Sequence, residues 1–469
     1  MSTLRPDAID VPLVLSAEVF DIPLEDSKHI IYAPLRRAAF IGNPYVAEFI
    51  RRLQSGKGQW PSEPEGSSMV KLLQALQIIG AGPEPRPLNN FSSLPQPTSL
   101  TLFLTTACNL RCHYCYASAG NGKAKFMRME IAKRGIDFVA ANAARKGARC
   151  IELTFHGGGE PTLHWSVLTE SLLYARRKAA DLALQMQATL ATNGVLPDKK
   201  IDWVLANFSG VNISCDGLPS IHDQCRPTAS GQGSSGQVLH TLRRFDEAGL
   251  NYGIRLTLLA KHIPSLPDSV EFLCSNFSPN SIQIEPVYLL GRGSGERTAE
   301  TDEFIEAFRI AQWNAAAHGR KIIFSGARVG SLTNHFCSAT QGNFCLSADG
   351  NVTACHEAFS EESPQADVFF YGRPEPNSQG YFFDQQVLDH LRDQAVENRA
   401  HCSGCFAKWS CGGDCYYKWR AGSGGGEFNG SARCHIIREL TKDQILERIE
   451  ASGGMIWHDP PTPPMQDQA

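Results

Sequence analysis

The sequence predicts an α/β protein in which about six repeats of strand then helix form a partial, TIM-like (β/α)6 barrel on a parallel sheet. A small N-terminal α+β domain precedes the barrel and an irregular, cysteine-rich C-terminal domain follows it. Three observations predict this. Between Ser99 and Val287 short apolar strand runs alternate with helical periods; a Pro/Gly run separates this region from the residues before it; and most of the 15 cysteines crowd into two short-spaced groups.

The chain of 469 residues is long enough for about three domains at roughly 150 residues each. Hydrophobic residues make up 42% and charged residues 20%, and no run approaches the ~18 apolar residues of a membrane span, which excludes a membrane protein. With 44 Lys+Arg against 48 Asp+Glu the formal charge is -4, so no basic field attracts nucleic acid. Met1 to Val14 carries Arg5, Asp7, Asp10 and two prolines where a signal peptide needs a basic start and an apolar core. A cytoplasmic location is therefore expected, and in a reducing compartment 15 thiols point to metal or catalysis rather than to disulfides.

In chain order, Val19–Leu24, His29–Tyr32 and Ala38–Ile41 alternate like strands. Val46, Phe49, Ile50 and Leu53 repeat at helical spacing, and Val70, Leu73 and Leu76 form a second helical stripe. This domain is expected over 1–82. Five prolines from Pro83 to Pro97 mark a linker over 83–98. The barrel, 99–330, reads as strands at Leu100–Leu104, Ile151–Phe155, Ala188–Thr192, Val211–Ser214, Tyr252–Leu259 and Ser281–Val287. Helices are expected from about Glu130, near Val167–Leu184 and near Lys199–Phe208. Function in such a sheet sits at the C-terminal strand ends. Ser230–Gly236 reads as a flexible loop, either a lid over the barrel mouth or a plain connector. From Ser331 periodicity fades, as expected where ligated iron fixes the backbone; this domain is placed at 331–440. A C-terminal helix and a tail broken up from Pro460 onward and expected to be disordered complete the chain over 441–469.

The cysteines carry the chemistry. Cys108-x3-Cys112-x2-Cys115 puts three thiols on one tight turn just past the first barrel strand. Three thiolates can hold three irons of a 4Fe-4S cubane, leaving one iron open. The second group, Cys337, Cys345, Cys355, Cys402, Cys405, Cys411, Cys415 and Cys434, supplies enough thiols for two fully ligated clusters. Structural zinc is the competing reading for Cys402–Cys434, because C-x2-C pairs are common zinc half-sites. The scattered Cys150, Cys215, Cys225 and Cys274 read as inert buried thiols.

Cys108-Asn-Leu-Arg-Cys112-His-Tyr114-Cys115 resembles the cluster loop of radical S-adenosylmethionine (SAM) enzymes, and the chain resembles their branch with a C-terminal SPASM domain over about residues 98–440. The resemblance implies that Tyr114 lies near the cofactor's adenine. It implies that Gly158-Gly159-Glu160-Pro161 receives the methionine amino group and that Asn193, in Ala191-Thr-Asn-Gly194, lies at the cofactor. It likewise places Ser214 and Arg226 at the cofactor's polar end, and Glu285, with Gly291-Arg292-Gly293, on the strand that meets the adenosyl group. Gly350-x4-Cys355 and the 402–415 run follow the SPASM pattern. By that likeness Cys337, Cys345, Cys355 and Cys415 hold one auxiliary cluster, and Cys402, Cys405, Cys411 and Cys434 the other.

The family likeness implies SAM and three 4Fe-4S clusters as cofactors, reductive formation of a 5'-deoxyadenosyl radical, and oxidative modification of a ribosomally made precursor peptide, as a crosslink or an oxidised side chain. A low-potential flavodoxin or ferredoxin is the implied electron donor. The N-terminal domain more weakly resembles the leader-peptide-binding domain of such maturases, which pairs an extended leader on a sheet edge. A sulfatase-maturating, formylglycine-forming enzyme is the alternative, and a non-catalytic iron-sulfur or zinc scaffold the alternative of another class. Asp216, Glu285 and Asp349 are the acidic candidates for a proton acceptor.

Overall fold

The computed structural model describes residues 14–56, 64–87, 91–423 and 426–459. The expectations for Met1–Asp10 and for the tail from Pro460 fall outside them.

Strands β1 (Phe20–Pro23), β2 (His29–Ala33) and β3 (Ala38–Gly42) form an antiparallel meander followed by helices α1 (Pro44–Gln54) and α2 (Pro64–Ala75). Pro44 can open α1 because a first-turn N–H has no partner to lose, and the Asn43 side chain accepts the Val46 N–H at 3.1 Å to complete the cap. One face of the sheet packs Ile31 and Phe40 against Ile50, Leu53, Val70 and Leu73.

The barrel strands are β4 (Ser99–Phe103), β5 (Cys150–His156), β6 (Gln185–Thr192), β7 (Gly210–Ser214), β8 (Tyr252–Leu258) and β9 (Ile282–Pro286). They pair in parallel in sequence order, with Phe103 opposite His156, Thr192 opposite Ile213, and Ser214 opposite Arg255. Helices α3 (Met129–Lys146), α4 (Trp165–Asp181), α5 (Asp198–Asn207), α6 (Pro219–Cys225), α7 (Ser235–Glu247), α8 (Leu266–Asn276) and α9 (Thr301–Ala317) follow the strands, and the two-residue β10 (Ile322–Ile323) extends the sheet beside β9. The period of two decides what faces where: Ile151, Leu153 and Phe155 of β5 are buried in the helix-covered core, while Glu152, Thr154 and His156 point to the inner face.

Beyond residue 330 the chain is more regular than its sequence suggests. β11 (Cys345–Leu346), β12 (Val352–Thr353), α10 (Ala366–Phe369), β13 (Phe370–Pro374) and β14 (Tyr381–Phe383) are followed by α11 (Gln385–Arg392), α12 (Lys408–Cys411), α13 (Tyr416–Ser423) and α14 (Ala432–Ala451). β11 pairs in parallel with β4, so the C-terminal strands continue the barrel sheet past its first strand. Two-residue strands leave no period to read; pairing to β4 supplies the order. The last strand, β15 (Ile456–His458), returns to the N-terminal sheet and pairs antiparallel with β3. Its Trp457 stacks on Tyr32 with ring centroids 6.5 Å apart, and that face of the sheet packs on Val329 and on Ile445 and Ile449 of α14. The N-terminal and C-terminal segments thus share one sheet, which their separation in sequence hides.

Candidate functional site

Cys108, Cys112 and Cys115 occupy the loop leaving β4, and other segments hold its backbone on three sides. Arg111 N donates to Pro227 O at 2.7 Å and His113 N to Cys225 O at 3.0 Å, while Ala229 N donates back to Asn109 O at 3.0 Å. Arg292 donates from N to Cys115 O at 3.0 Å and from Nε to Cys112 O at 2.8 Å. Glu160 N closes the third side on Ala107 O at 2.8 Å. A Cβ on Gly291, whose φ is +54°, would collide with the carbonyls of Cys115 and Tyr116. Residues 225–229 therefore zip along the cysteine loop, and Ser230 and Gly231 lie in the exposed turn that Thr228 N closes on Gln232 O. Gly291-Arg292-Gly293 likewise backs the loop.

Burial pushes the Cys112 thiol up to about 12 and the Cys108 thiol up to about 11, and the Cys115 charge adds to both. The Cys108 and Cys112 thiols so placed hold their protons at neutral pH unless a metal takes up the thiolate charge. N–H donors already aim at two of the sulfurs, from Leu110 and Asn193 to Cys108 at 3.4 and 3.8 Å and from Ala119 to Cys115 at 3.5 Å. The donor set fits an iron-sulfur cluster, whose potential such bonds tune.

Beside the loop, Gly157–Gly159 are required by close approach: a Cβ on Gly158 would enter the Phe359 ring, and one on Gly159 would meet the Ala107 carbonyl oxygen. Glu160 follows them. Its buried carboxylate accepts from Thr162 N and Oγ1 at 3.2 and 2.7 Å, Thr192 Oγ1 at 2.9 Å and Asn193 N at 2.7 Å, tying the end of β5 to the end of β6. Pro161 opens the short turn that follows. Asn193 bridges to Asn109 Oδ1 at 2.7 Å, and Ser214 stands on the inner face at the end of β7. Arg226 Nε donates to Asp216 Oδ2 at 2.9 Å in a pair whose side chains are 6% and 1% exposed. Tyr114 Oη donates to the same oxygen at 2.5 Å, and the guanidinium lies 5.2 Å from the Tyr114 ring centre. The Asp216–Arg226 pair thus positions Tyr114.

The three candidate proton acceptors are all engaged. Asp216 is paired as described, and Asp349 forms a surface ion pair with Lys125 at 2.8 Å. Glu285 binds Arg433 at 3.0 Å; burial alone would raise its pKa, but the Arg433 and Lys418 charges and the Ser325 N–H hold it down at about 2. Arg433 also binds Asp414 at 2.9 Å, so this buried chain of charges links the end of β9 to the neighbours of Cys415 and Cys434.

The eight C-terminal thiols fall into two electrostatic groups. Apart from burial, charges on Cys415 and Cys337 raise Cys355, and Cys337 raises both Cys345 and Cys415, the latter two pushed up to about 12. Separately, Cys405 and Cys434 raise Cys402 to about 11 after burial, Cys434 raises Cys405, and Cys405 raises Cys411. Cys415 stands with the first group although its sequence neighbours stand with the second. Among the described residues no three His, Cys, Asp or Glu converge on a single metal ion. A cubane makes no such demand, since each thiolate ligates a different iron.

Sequence reasoning missed three inner residues. His156 and His356 lie with ring centroids 4.5 Å apart, and burial holds both well below the ordinary histidine range, His356 at about 4. Arg255 projects to the inner face of β8; the alternation of Ile254, Arg255 and Leu256 was a legible signal for it.

Residues 102–273 match the Radical SAM superfamily, so the chain carries a radical SAM domain. Sporulation killing factor maturation protein SkfB of Bacillus subtilis is 29% identical over 279 residues, 58% of this chain and 63% of that protein. The first curated relatives are matched over 54 to 63% of their own length, less than two thirds. Among solved structures, native anSMEcpe with bound AdoMet superposes with a TM-score of 0.61 at 18% identity, covering 74% of this chain and 98% of that one. Streptococcus suis SuiB bound to precursor peptide SuiA gives a TM-score of 0.51 at 13% identity over 90% and 99%. These likenesses establish the radical SAM fold with a C-terminal extension. Among the described residues no helix is long and apolar enough to cross a membrane.

Proposed function

We propose that this chain is a radical SAM maturase that oxidatively modifies a residue of a ribosomally made precursor peptide. The observation that carries the reading is the trio Cys108, Cys112 and Cys115, an incomplete ligand set for a cubane, locked at the C-terminal end of a parallel sheet. A 4Fe-4S cluster held by these three thiols, with SAM bound beside it, would supply reductive radical chemistry, yielding a 5'-deoxyadenosyl radical.

The residues of the chain supply placement. Gly157–Gly159 open the space beside the loop, Asn193 donates to Cys108 and Asn109, and Asp216 with Arg226 fixes the Tyr114 ring next to Cys115. The two thiol quartets, Cys337/Cys345/Cys355/Cys415 and Cys402/Cys405/Cys411/Cys434, would hold auxiliary clusters as a SPASM domain does and accept the electron that oxidation of the substrate releases. A flavodoxin or ferredoxin would reduce the first cluster. SkfB is named as a maturation protein and SuiB was solved with a precursor peptide, which supports a peptide as the substrate. The N-terminal sheet would receive the leader; since β15 already closes the β3 edge, β1 is the remaining open edge among the described residues.

Anaerobic, reduced protein given SAM should release 5'-deoxyadenosine, and fully loaded protein should contain about twelve irons per chain. Continued 5'-deoxyadenosine release by Cys112→Ala would overturn the assignment.

A further inference from the structure

Arg255 is the sole Lys or Arg in the six barrel strands. Ile254 and Leu256, 2% and 0% exposed, bury on the helix-covered side, so alternation sends Arg255 into the lumen, where it is exposed. It stands in register with Ser214 of β7 and Gln283 of β9, both neutral. Among the described residues it forms no side-chain hydrogen bond or ion pair, although Asp216 and Glu285 lie in the same barrel. Those carboxylates are already held, by Arg226 at 2.9 Å and Arg433 at 3.0 Å.

The groups that feel the Arg255 charge are Tyr116 after the cysteine loop, His156 on β5, Glu285 on β9 and His356 beside Cys355. They come from four segments, three of which meet: the His156 and His356 rings lie 4.5 Å apart, and Tyr116 Oη donates to Gly157 O at 3.1 Å and to His356 O at 3.4 Å. A second observation also points to a ligand: among the described residues His156 Nδ1 is buried with no hydrogen-bond partner. An unpaired guanidinium is tolerable while water fills the lumen. When a peptide expels that water, the cation must gain a partner or its burial costs several kcal/mol.

Building on the peptide-maturase reading, we propose that Arg255, with His156 beside it, is the receiving site for a substrate carboxylate, an Asp or Glu side chain of the precursor peptide. The planar fork binds a carboxylate through two parallel N–H donors, which fixes orientation as well as position. The site thus selects an acidic residue at a set distance from the one attacked.

SAM also carries a carboxylate, and the test separates the two sources. Cluster-loaded enzyme is treated anaerobically with phenylglyoxal, and modification at Arg255 is measured by peptide mass spectrometry against exposed Arg52 as an internal reference. N-acetyl-glutamic acid α-amide at about ten times its dissociation constant should slow Arg255 modification about tenfold. The neutral N-acetyl-glutamine α-amide and SAM alone should leave the rate unchanged. Equal protection by the glutamine compound, protection by SAM alone, or no protection by the acid would each overturn the proposal. The footprint needs no turnover, so its failure is distinct from failure of the radical reading, which 5'-deoxyadenosine release reports.

Discussion

The cysteine loop after β4 and the C-terminal thiol region solve the same problem by opposite means. In the first, three thiols lie within eight residues, and backbone hydrogen bonds from residues 225–229, 160 and 292 hold the turn whatever sits on the sulfurs. In the second, ligand candidates span residues 337 to 434, on the two-residue β11, the short α12, the start of α14 and the turns between. There the thiols of each group come from segments far apart in sequence, so metal and fold should be interdependent. The comparison teaches that a reactive centre with a vacant coordination site needs a scaffold independent of its metal, whereas a closed cluster can serve as its own scaffold.

The largest expected effect is chemical. Cys112→Ala should cut 5'-deoxyadenosine yield by at least about 10⁴-fold while lowering the iron content by only about a third. Yield is read by liquid chromatography and iron by a colorimetric assay. A large loss of folded protein in this variant would break the comparison, because the loop would then depend on its metal after all.

Next in size is metal removal. Stripping iron under anaerobic, reducing conditions should make segments within 331–440 about ten to a hundred times more sensitive to limited proteolysis than the barrel. Cleavage in the barrel at the same rate would mean that both regions lean on their clusters.

The buried charges that join the regions come third. Arg433→Met strands Glu285 and Asp414 in the interior and should cost about 3–5 kcal/mol in urea or thermal unfolding. The pH dependence has a definite sign. Glu285, held at about 2 in the folded protein against about 4.3 unfolded, adds stability above the unfolded value and loses it as pH falls toward 2. Glu285→Gln should flatten the stability curve across that window; an unchanged acid limb would show that the pair does not bind the regions together.

The smallest effect is on the surface. Lys125 pairs with Asp349 and Glu362, all three partly exposed, so Lys125→Ala should change stability by no more than about 1 kcal/mol, and less at high salt. A larger loss would move this contact into the group that fastens the C-terminal region to the cysteine loop.

What the sequence determined by itself was everything written in local period and spacing. The six parallel strands, the first helices, the N-terminal meander and the cysteine spacings are all of this kind, because strand alternation and a three-thiol turn are properties of a few adjacent residues. What only the tertiary structure decided was partnership across the chain. Cys415 stands with Cys337, 78 positions back, and β15 completes a sheet begun at Phe20. The carboxylates of Glu160, Asp216 and Glu285 are engaged by internal bonds, while Arg255 has none among the described residues. An acidic residue in sequence looks equally fit to bind a ligand, take a proton or close an ion pair. Which it does depends on the neighbour that folding brings within 3 Å, since burying a charge is tolerated only where an opposite charge or a hydrogen bond arrives with it.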